Sequence, residues 1–298
     1  MIESNDTQCG TVAIIGRPNV GKSTLLNCLI GQKISITAHR PQTTRHSILG
    51  IKTLEKQQIL YVDTPGIHLD GKRMMNQYLN NTASSVLHDV DLILFVIDRT
   101  YWTDEDEHIL GLLQRIKKNV FLLINKIDLL KNKDSLLPHL KKISEKYNFD
   151  KIIPISAKKR LQIKDIEQTL LSHLPVGEFW YPEDFVTDKS ERFIVAEIIR
   201  EKLTRRLGQE LPYSLAVEIE AFKTEKNIIK IYATIWIEKK GQKGIVVGKK
   251  GQILKEIGQQ SREDMERLLG SKVFLQLWVK IKEGWSDSER LLDSLGYK

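Results

Sequence analysis

Short, continuous apolar runs that alternate with helix-like segments constrain the fold of residues 11–174 more than any other feature. Runs of this kind are typical of strands buried on both faces, which form parallel sheets covered by helices. The runs are TVAIIG, QQILYVD, DLILFVID, NVFLLIN and KIIPIS. We therefore predict an α/β domain with a mostly parallel sheet and helices on both faces. Ligands bind such sheets at the carboxyl ends of the strands.

The pattern changes after residue 174. Residues 175–188, PVGEFWYPEDFVTD, have two prolines, a glycine and several aromatics without usable periodicity, which predicts a linker between domains 1–174 and 189–298. The second domain begins with an amphipathic helix over 190–207, followed by two strand-like runs, a loop, a helix and the run VFLQLWVKI. This order predicts an α+β domain.

The chain is basic, and the excess lies toward its C-terminal end. The formal net charge of the 298 residues is +8, and residues 188–298 hold 22 Lys and Arg against 17 Asp and Glu. This excess suits nucleic acid or an anionic membrane without selecting between them.

The two cysteines, Cys9 and Cys28, form neither a disulfide framework nor a zinc pattern. No apolar run reaches the roughly 20 residues of a membrane span, so we expect a cytoplasmic protein.

Phosphate binding is indicated where the first apolar run ends, in the segment GRPNVGKS at residues 16–23. It is an intact G-x-x-x-x-G-K-S motif between a strand and a helix-like stretch. The glycines let backbone N–H groups surround phosphates, Lys22 reaches the β- and γ-phosphates, and Ser23 binds Mg²⁺. The candidates from this segment are Gly16, Asn19, Val20, Gly21, Lys22, Ser23 and the following Thr24.

The next strong run ends in DTPG at residues 63–66. Asp63 is placed to hold Mg²⁺ through water, and the Gly66 amide can contact a γ-phosphate. A lone DTPG can be an ordinary turn, but its place after the phosphate loop favours the functional interpretation. The residue that follows is Ile67, whose alkyl side chain neither donates nor accepts hydrogen bonds.

Base selection is indicated by NKID at residues 125–128 and SAK at residues 156–158, each directly after an apolar run. The Asp128 carboxylate can accept from both N1–H and the 2-amino group of guanine, which adenine does not present together. In this order the four motifs resemble those of the translation-factor-related GTPases. That resemblance implies that Asn125 braces the loops, Lys126 covers the ring and the Ala157 backbone contacts the guanine oxygen. The candidates are Asn125, Lys126, Asp128, Ser156, Ala157 and Lys158.

The segment KISITAHRPQTTRH at residues 33–46 precedes the second strand, where related GTPases have their first switch. The resemblance implies that one threonine here binds Mg²⁺ and the γ-phosphate, and motif position favours Thr44 over Thr43. The magnesium candidates are then Ser23, Thr44 and Asp63, and the catalytic candidates are Lys22, Thr44 and Gly66.

Several GTPases have a glutamine after DTPG that orients the attacking water, whereas this chain has Ile67. We therefore expect slow intrinsic hydrolysis that depends on a helper. The departure, together with the asparagine of GRPNVGKS, resembles ribosome- and RNA-linked GTPases in which that asparagine helps coordinate a monovalent cation. Asn19 is accordingly a candidate K⁺ ligand, with a purely loop-structuring asparagine as the alternative.

An RNA-binding loop is indicated by GKKG at residues 248–251, which precedes an amphipathic helix. A G-x-x-G loop lets its backbone approach nucleic acid, and the lysines between the glycines face phosphates. The order helix, two strands, GxxG, helix, strand resembles the type II KH fold. The RNA-binding candidates are Gly248, Lys249, Lys250, Gly251 and Lys255. On the same helix, Arg262 and Arg267 either contact RNA or are solvated, and Trp285 and Tyr297 either stack on bases or pack the tail.

Nearly the whole chain resembles one family, the bacterial Era GTPases, including the PQTTR switch and the ending KIKEGWSDSERLLDSLGY. The resemblance implies a P-loop GTPase domain followed by a type II KH domain, hydrolysis of GTP to GDP and phosphate, and Mg²⁺ as cofactor. It also implies binding near the 3′ end of small-subunit rRNA and assistance in assembly of the small ribosomal subunit. We expect a monomer, with peripheral inner-membrane association as a further candidate.

Two other functions are compatible with parts of this pattern. An RNA-binding module could use nucleotide only as a structural ligand; intact Ser23, Thr44 and Asp63 argue against this, whereas Ile67 favours it. A membrane-peripheral signalling GTPase could be held by its basic surface. No helix-like segment combines a strong apolar face with a concentrated basic face, and no lipidation motif is present.

Overall fold

The structure is a computed structural model that describes residues 7–38, 43–67, 74–132, 134, 136–207 and 215–294. The chain divides into two compact units. The first contains Met1–Ser35, Thr44–Gly71 and Asn76–Asp188, and the second contains Ile36–Thr43, Lys72–Met75 and Lys189–Lys298. Among the described helices, none has the length and apolar character needed to cross a membrane.

A six-stranded sheet with the order β2-β3-β1-β4-β5-β6 forms the centre of the first unit. Its strands are β1 Gln8–Ile15, β2 Ile48–Leu54, β3 Gln57–Asp63, β4 Leu92–Asp98, β5 Asn119–Asn125 and β6 Lys151–Pro154. β2 is antiparallel to β3, and all other neighbours are parallel. The predicted mostly parallel sheet is confirmed, and every predicted apolar run contributes a strand.

The helices described in the first unit are α1 Lys22–Ile30, α2 Met74–Asp89, α3 Asp104–Leu113, α4 Leu136–Ser144 and α5 Ile163–Leu171. The first two residues of α2, Met74 and Met75, are grouped with the second unit. β4 is buried along its whole length and β5 from its second residue onward. Such strands have no solvent face, which is why they appear in the sequence as unbroken apolar runs. β1, β3 and β5 each end at a predicted nucleotide motif.

The sequence prediction missed β2, the edge strand. Its sequence, ILGIKTL, is interrupted by Gly50 and ends in partly exposed residues, so it lacks a continuous apolar run. A Cβ at Gly50 would lie 2.8 Å from the Leu26 side chain and 2.9 Å from that of Ile30. The glycine therefore allows α1 to pack closely on this strand.

Residues 175–188, the predicted linker, lie within the first unit. The Cys9 N–H donates to the Pro175 carbonyl at 3.1 Å, and the Ile51 N–H donates to the Val186 carbonyl at 2.8 Å. The stretch thus continues the backbone hydrogen bonding of β1 and β2 at both of its ends. Its role as a connection between functional domains stays a prediction.

The second unit has a three-stranded sheet in the order β7-β8-β9, with β7 antiparallel and β9 parallel to β8. Its elements are α6 Glu191–Arg206, β7 Leu215–Glu225, β8 Ile228–Ile237, α7 Lys240–Val247, α8 Gln252–Leu269, β9 Lys272–Ile281 and α9 Glu289–Ser294. The predicted α+β arrangement is confirmed.

Two details of this unit differ from the expectations. The predicted loop before GKKG contains α7, whose first turn is capped by Gln242: the Gln242 side chain accepts from the Glu238 and Lys239 N–H groups, each at 2.9 Å. Trp285 is fully buried, so the alternative in which it stacks on bases is wrong. Tyr297 lies outside the described residues.

Helix α6 also forms hydrogen bonds with part of the segment predicted as the first switch. Residues Ile36–Thr43 of that segment belong to the second unit. The Thr37 N–H donates to Glu201 at 2.9 Å, and Arg205 donates to the Thr37 carbonyl at 2.8 Å. Arg200 donates to the carbonyl of Thr43. Residues on both sides of 39–42 are therefore attached to one helix.

Candidate nucleotide and RNA sites

The phosphate loop turns sharply out of β1 into α1. A Cβ at Gly16 (φ +151) would lie 2.4 Å from the Val96 carbonyl oxygen, and one at Gly21 (φ +105) would lie 2.4 Å from the Asn125 amide nitrogen. Both positions therefore require glycine. Gly21 is the N-cap residue of α1 and makes no side-chain cap, so the loop leads into a helix N-terminus suited to anions.

The Lys22 side chain lies inside this loop and donates hydrogen bonds to it. It is buried, and Nζ donates to the carbonyls of Gly16 at 2.8 Å and Arg17 at 3.0 Å. Burial lowers the pKa of Lys22 to about 8, while the nearby Asp63 carboxylate opposes that shift. A positive charge is thus held at the bend of the loop with little solvent around it.

Three predicted magnesium candidates come together in what we call the magnesium cluster: Ser23, Thr44 and Asp63. Ser23 Oγ lies 2.7 Å from Thr44 Oγ1 and donates to Asp63 Oδ2 at 2.8 Å. Thr43 lies outside the cluster, with its hydroxyl 3.5 Å from the Ala38 carbonyl. The geometry therefore favours Thr44 over Thr43.

Asp63 has the features of a carboxylate that faces a cation. It is fully buried, and its Oδ1 has no hydrogen-bond partner among the described residues. Burial raises the pKa of this carboxyl, and the Lys22 charge and hydroxyl hydrogen bonds counteract the rise. An unsatisfied buried oxygen beside two hydroxyls fits Mg²⁺, a hard cation that takes oxygen ligands and retains water.

The DTPG segment lies directly against the phosphate loop. A Cβ at Gly66 would lie 3.0 Å from both N and Cα of Pro18, so only glycine fits without displacing the loop. Thr64 Oγ1 donates to the Ile14 carbonyl at 2.9 Å and joins the segment to β1. Ile67 is 2% exposed and packs in the core with Ala13 and Ile15. The side chain after DTPG therefore points away from the phosphate site.

Asn125 connects the loops of the predicted base site. Its amide donates to the Val20 carbonyl at 2.8 Å, and its Oδ1 accepts from the N–H groups of Lys126 at 2.8 Å and Ala157 at 3.0 Å. One buried side chain thus links the phosphate loop, NKID and SAK. Asp128 is exposed and accepts a hydrogen bond from the Ser156 hydroxyl.

The remaining nucleotide candidates lie on or beside these loops. Asn19 is exposed with φ +64, and its carbonyl accepts from Lys126 Nζ at 2.6 Å. Thr24 is half-buried in the first turn of α1, and Lys158 is exposed after β6. Every nucleotide candidate thus lies on the last residue of a strand, on the loop that follows it or at the start of the next helix.

The GKKG loop begins a groove in the second unit, which we call the KH groove. The groove has a volume of about 560 Å³ between α8 and β9. Its lining residues are Gly251, Leu254, Lys255, Gly258, Gln259, Arg262, Leu275, Gln276 and Leu277. Lys249 and Lys250 are exposed on the loop itself. Lys255 and Arg262 therefore line the groove, whereas Arg267 is paired with Asp264 outside it.

The glycines of the loop have different constraints. A Cβ at Gly248 (φ +73) would lie 2.5 Å from Ile253, whereas one at Gly251 (φ +77) would meet nothing within 4 Å. Gly248 thus lets the loop fold back on α8. Gly251 leaves open space at the N-terminus of that helix, where a nucleic acid backbone can approach.

Comparison with known proteins covers both units. Residues 11–126 match the family model "50S ribosome-binding GTPase", and residues 210–286 match "KH domain". GTPase Era of Marinobacter nauticus is 53% identical over 99% of this chain and 96% of its own length. GTPase Era of Coxiella burnetii (strain Dugway 5J108-111) is 55% identical over 98% of this chain and 99% of its own length.

The chain belongs to the Era GTPase family. Two solved Era structures agree with it over its length: one in complex with MgGDPNP and nucleotides 1506–1542 of 16S ribosomal RNA, with a TM-score of 0.95, and an Aquifex aeolicus variant bound to GDP·AlF4⁻, with a TM-score of 0.94. Each is 39% identical and covers 98% of this chain and 99% of its own. The predicted fold class and GTPase activity are confirmed for this Era-family chain.

Sequence reasoning missed a third hydroxyl at the magnesium cluster of this Era-family protein. Ser35 is buried, and its Oγ donates to Asp63 Oδ2 at 3.1 Å. The Asn27 side chain holds Ser35 in place, accepting from its N–H at 2.9 Å and donating to its carbonyl at 2.7 Å. Ser35 lies in the segment 33–46 predicted as the first switch but was not singled out there, and Asn27 belongs to none of the motifs. Only the tertiary contact brings the Ser35 hydroxyl to Asp63.

Two acidic residues were also missed. Asp98, at the end of β4, accepts from Lys126 Nζ at 2.9 Å; burial would raise its pKa, but hydrogen bonds and charges from Arg99 and Lys126 outweigh this and lower it. Asp106, whose side chain is fully buried, accepts from Arg17 Nε at 3.1 Å. The phosphate loop and NKID are therefore each anchored by a carboxylate from a neighbouring element. The sequence did contain a signal for Asp98, because this residue ends the apolar run DLILFVID at the same sheet edge as the motifs.

The low pKa of Lys22 predicts a pH dependence for GTP binding to this Era-family protein. Above about pH 8 the free protein loses the Lys22 proton, and phosphate binding must restore it. Affinity should therefore fall with rising pH, by up to about tenfold per pH unit. Fluorescence titration from about pH 7 to about pH 9.5 measures this. Lys22→Arg stays protonated and reports any change due to the nucleotide itself. Parallel profiles for parent and variant would contradict the prediction.

Proposed function

We propose that this protein binds and hydrolyses GTP at the N-terminal site, binds RNA near the 3′ end of small-subunit rRNA through the KH groove, and assists assembly of the small ribosomal subunit. The observation that carries the proposal is that one chain combines the magnesium cluster with a lysine-flanked GxxG groove. Full-length similarity to an Era solved with MgGDPNP and 16S rRNA nucleotides 1506–1542 supports it.

The proposed nucleotide chemistry is the attack of water on the γ-phosphate of GTP, giving GDP and phosphate. Backbone N–H groups of the phosphate loop and the Lys22 ammonium hold the β- and γ-phosphates, and the Gly66 amide contacts the γ-phosphate. Ser23, Thr44 and Asp63 would hold Mg²⁺, which neutralises phosphate charge when bound. The Asp128 carboxylate selects guanine, and Asn125 fixes the loops around the base.

Ile67 does not position the attacking water in this scheme. Ile67 packs in the core, so no side chain at that position reaches the attacking water. Hydrolysis is then slow until a group other than residue 67 orients the attacking water. Bound RNA is the proposed trigger. Monomeric state and peripheral membrane association stay predictions.

The proposed K⁺ site at Asn19 predicts cation-dependent turnover. GTP hydrolysis in the presence of RNA should be about tenfold faster in potassium than in sodium at equal ionic strength. The reason is that the K⁺ held at the proposed Asn19 site stabilises developing phosphate charge. Asn19→Gly removes the amide and tolerates the positive φ, so it should abolish the difference. Equal rates in the two salts would remove the cation role.

Crosslinking and sequencing of cellular RNA tests the RNA partner. The tagged protein is crosslinked to cellular RNA in a lysate, with and without an added non-hydrolysable GTP analogue, and the sequenced reads of the two conditions are compared. We expect reads concentrated at the 3′ end of small-subunit rRNA. Reads spread evenly over unrelated RNAs in both conditions would overturn the proposed partner.

A further inference from the structure

The outer face of the second unit's sheet carries large aromatic side chains. Along β9 one set of alternating residues, including Val273 and Val279, is buried in the core of the unit. The other set, with the equivalent residues of β8, points away from that core. It contains Tyr232, Trp236, Phe274 and Trp278, which we call the aromatic face. The solvent side of a sheet is ordinarily polar, so four aromatic side chains on this side need an explanation.

Three rings of the aromatic face form one patch. Tyr232 and Trp278 stack with ring centres 5.9 Å apart and planes at 17°, and Phe274 lies 6.0 Å from Tyr232. Phe274 is 48% exposed and Trp278 is 36% exposed. Exposed rings in one patch are the platform on which successive unpaired bases stack in proteins that bind single-stranded nucleic acid.

Among the described residues of β7, β8 and β9, with Lys282 beside them, lysines outnumber carboxylates on the same face. Lys280 Nζ lies 5.7 Å from the Trp236 ring centre and pairs with Glu220 at 2.8 Å, and Lys230 pairs with Glu225. Exposed ion pairs contribute little, so RNA phosphates can replace these carboxylates as partners. The lysines on or beside this face are Lys223, Lys230, Lys272, Lys280 and Lys282, and the carboxylates are Glu218, Glu220 and Glu225.

The aromatic face adjoins the KH groove along β9. Gln276 lines the groove and, by strand alternation, lies on the same face as Phe274 and Trp278. A GxxG groove clamps about four nucleotides, so a longer RNA must continue onto another surface. The surface reached by crossing β9 at Gln276 is the aromatic face.

We propose that the aromatic face is a second RNA-binding surface, on which unpaired bases of an RNA held in the KH groove stack against Phe274 and Trp278. The inference rests on the proposed function, because the same RNA occupies both surfaces. Stacking is tolerant of base identity. The aromatic face therefore adds affinity that depends on RNA length, while sequence choice stays with the groove.

The test compares two double variants of the full-length protein. Phe274→Leu with Trp278→Leu removes both rings and keeps apolar cover over the sheet, and Phe274→Tyr with Trp278→Phe keeps a ring at each position. Filter binding uses a single-stranded RNA of roughly six nucleotides, enough for the groove, and the whole rRNA segment equivalent to nucleotides 1506–1542.

We expect the leucine variant to bind the long RNA about thirtyfold more weakly and the short RNA normally. The lysines of the aromatic face remain in this variant, so the salt dependence of long-RNA binding should stay close to that of the parent protein. The control should match the parent protein with both RNAs. Phe274→Leu alone leaves the stacked Tyr232–Trp278 pair intact and should weaken long-RNA binding about fivefold, which guards against misfolding of the double variant.

Parent-like affinity of both leucine variants for the long RNA would overturn the proposal and leave the aromatic face to a protein partner. Equal weakening with the short and long RNAs would also overturn it, because the effect would then arise in the groove. If the parent protein bound neither RNA, the proposed function would fail first, and this inference with it.

Discussion

Replacing Asp128 with Asn should convert the base preference from GTP to xanthosine triphosphate. The asparagine amide presents a donor where the carboxylate accepted from guanine, and xanthine offers an oxygen at the position of the 2-amino group. We expect GTP affinity to fall by on the order of a hundredfold and xanthosine triphosphate affinity to rise correspondingly. Competitive displacement of a fluorescent nucleotide measures both affinities.

The matched control for this change is Asp165→Asn, an exposed carboxylate in the first turn of α5. It alters the net charge equally and should leave both affinities unchanged. Comparable binding of GTP and ATP by the parent protein would refute the assignment of Asp128 to base selection.

Replacing both Lys249 and Lys250 with Asp should reduce RNA affinity by roughly a hundredfold while GTP affinity stays unchanged. The lysines are exposed on the GxxG loop, and carboxylates there repel the RNA backbone. The slope of log affinity against log salt should also flatten by roughly 0.7 for each lost phosphate contact. Filter binding across a salt series and nucleotide titration on the same preparation measure these effects.

A second pair of neighbouring lysines provides the control. Lys141→Asp with Lys142→Asp changes the net charge equally at exposed positions of α4. This control should keep most of the RNA affinity. If both double variants lost RNA binding alike, overall charge rather than the GxxG loop would be responsible.

The sequence predicts the loops of the site well because each motif is local. GRPNVGKS, DTPG and NKID need particular glycines, lysines and carboxylates at fixed spacing, and each follows an apolar strand that sets its place at one sheet edge. The same reasoning predicted the strands that are buried on both faces. It missed β2, whose Gly50 serves packing against α1 and interrupts the apolar pattern.

Residues recruited by tertiary contact could not be predicted in this way. Ser35 reaches Asp63 through a loop held by Asn27, and Asp106 reaches Arg17 from the first turn of α3. A buried serine and a capping aspartate have no spacing that distinguishes them from structural residues. Likewise, Ile67 was recognised as unable to orient water, but only the structure shows that its side chain belongs to the core.

The central claim is that one chain couples a GTP-hydrolysing site to an RNA site, and the most direct test is single-turnover GTP hydrolysis with and without the 3′-terminal rRNA segment. We predict slow hydrolysis by the protein alone and an increase of at least about tenfold with the RNA. The increase should be absent in the Lys249→Asp, Lys250→Asp variant and persist in the Lys141→Asp, Lys142→Asp control. Hydrolysis that stayed at the same low rate with saturating RNA would contradict the claim and favour an RNA-binding protein that uses nucleotide only as a structural ligand.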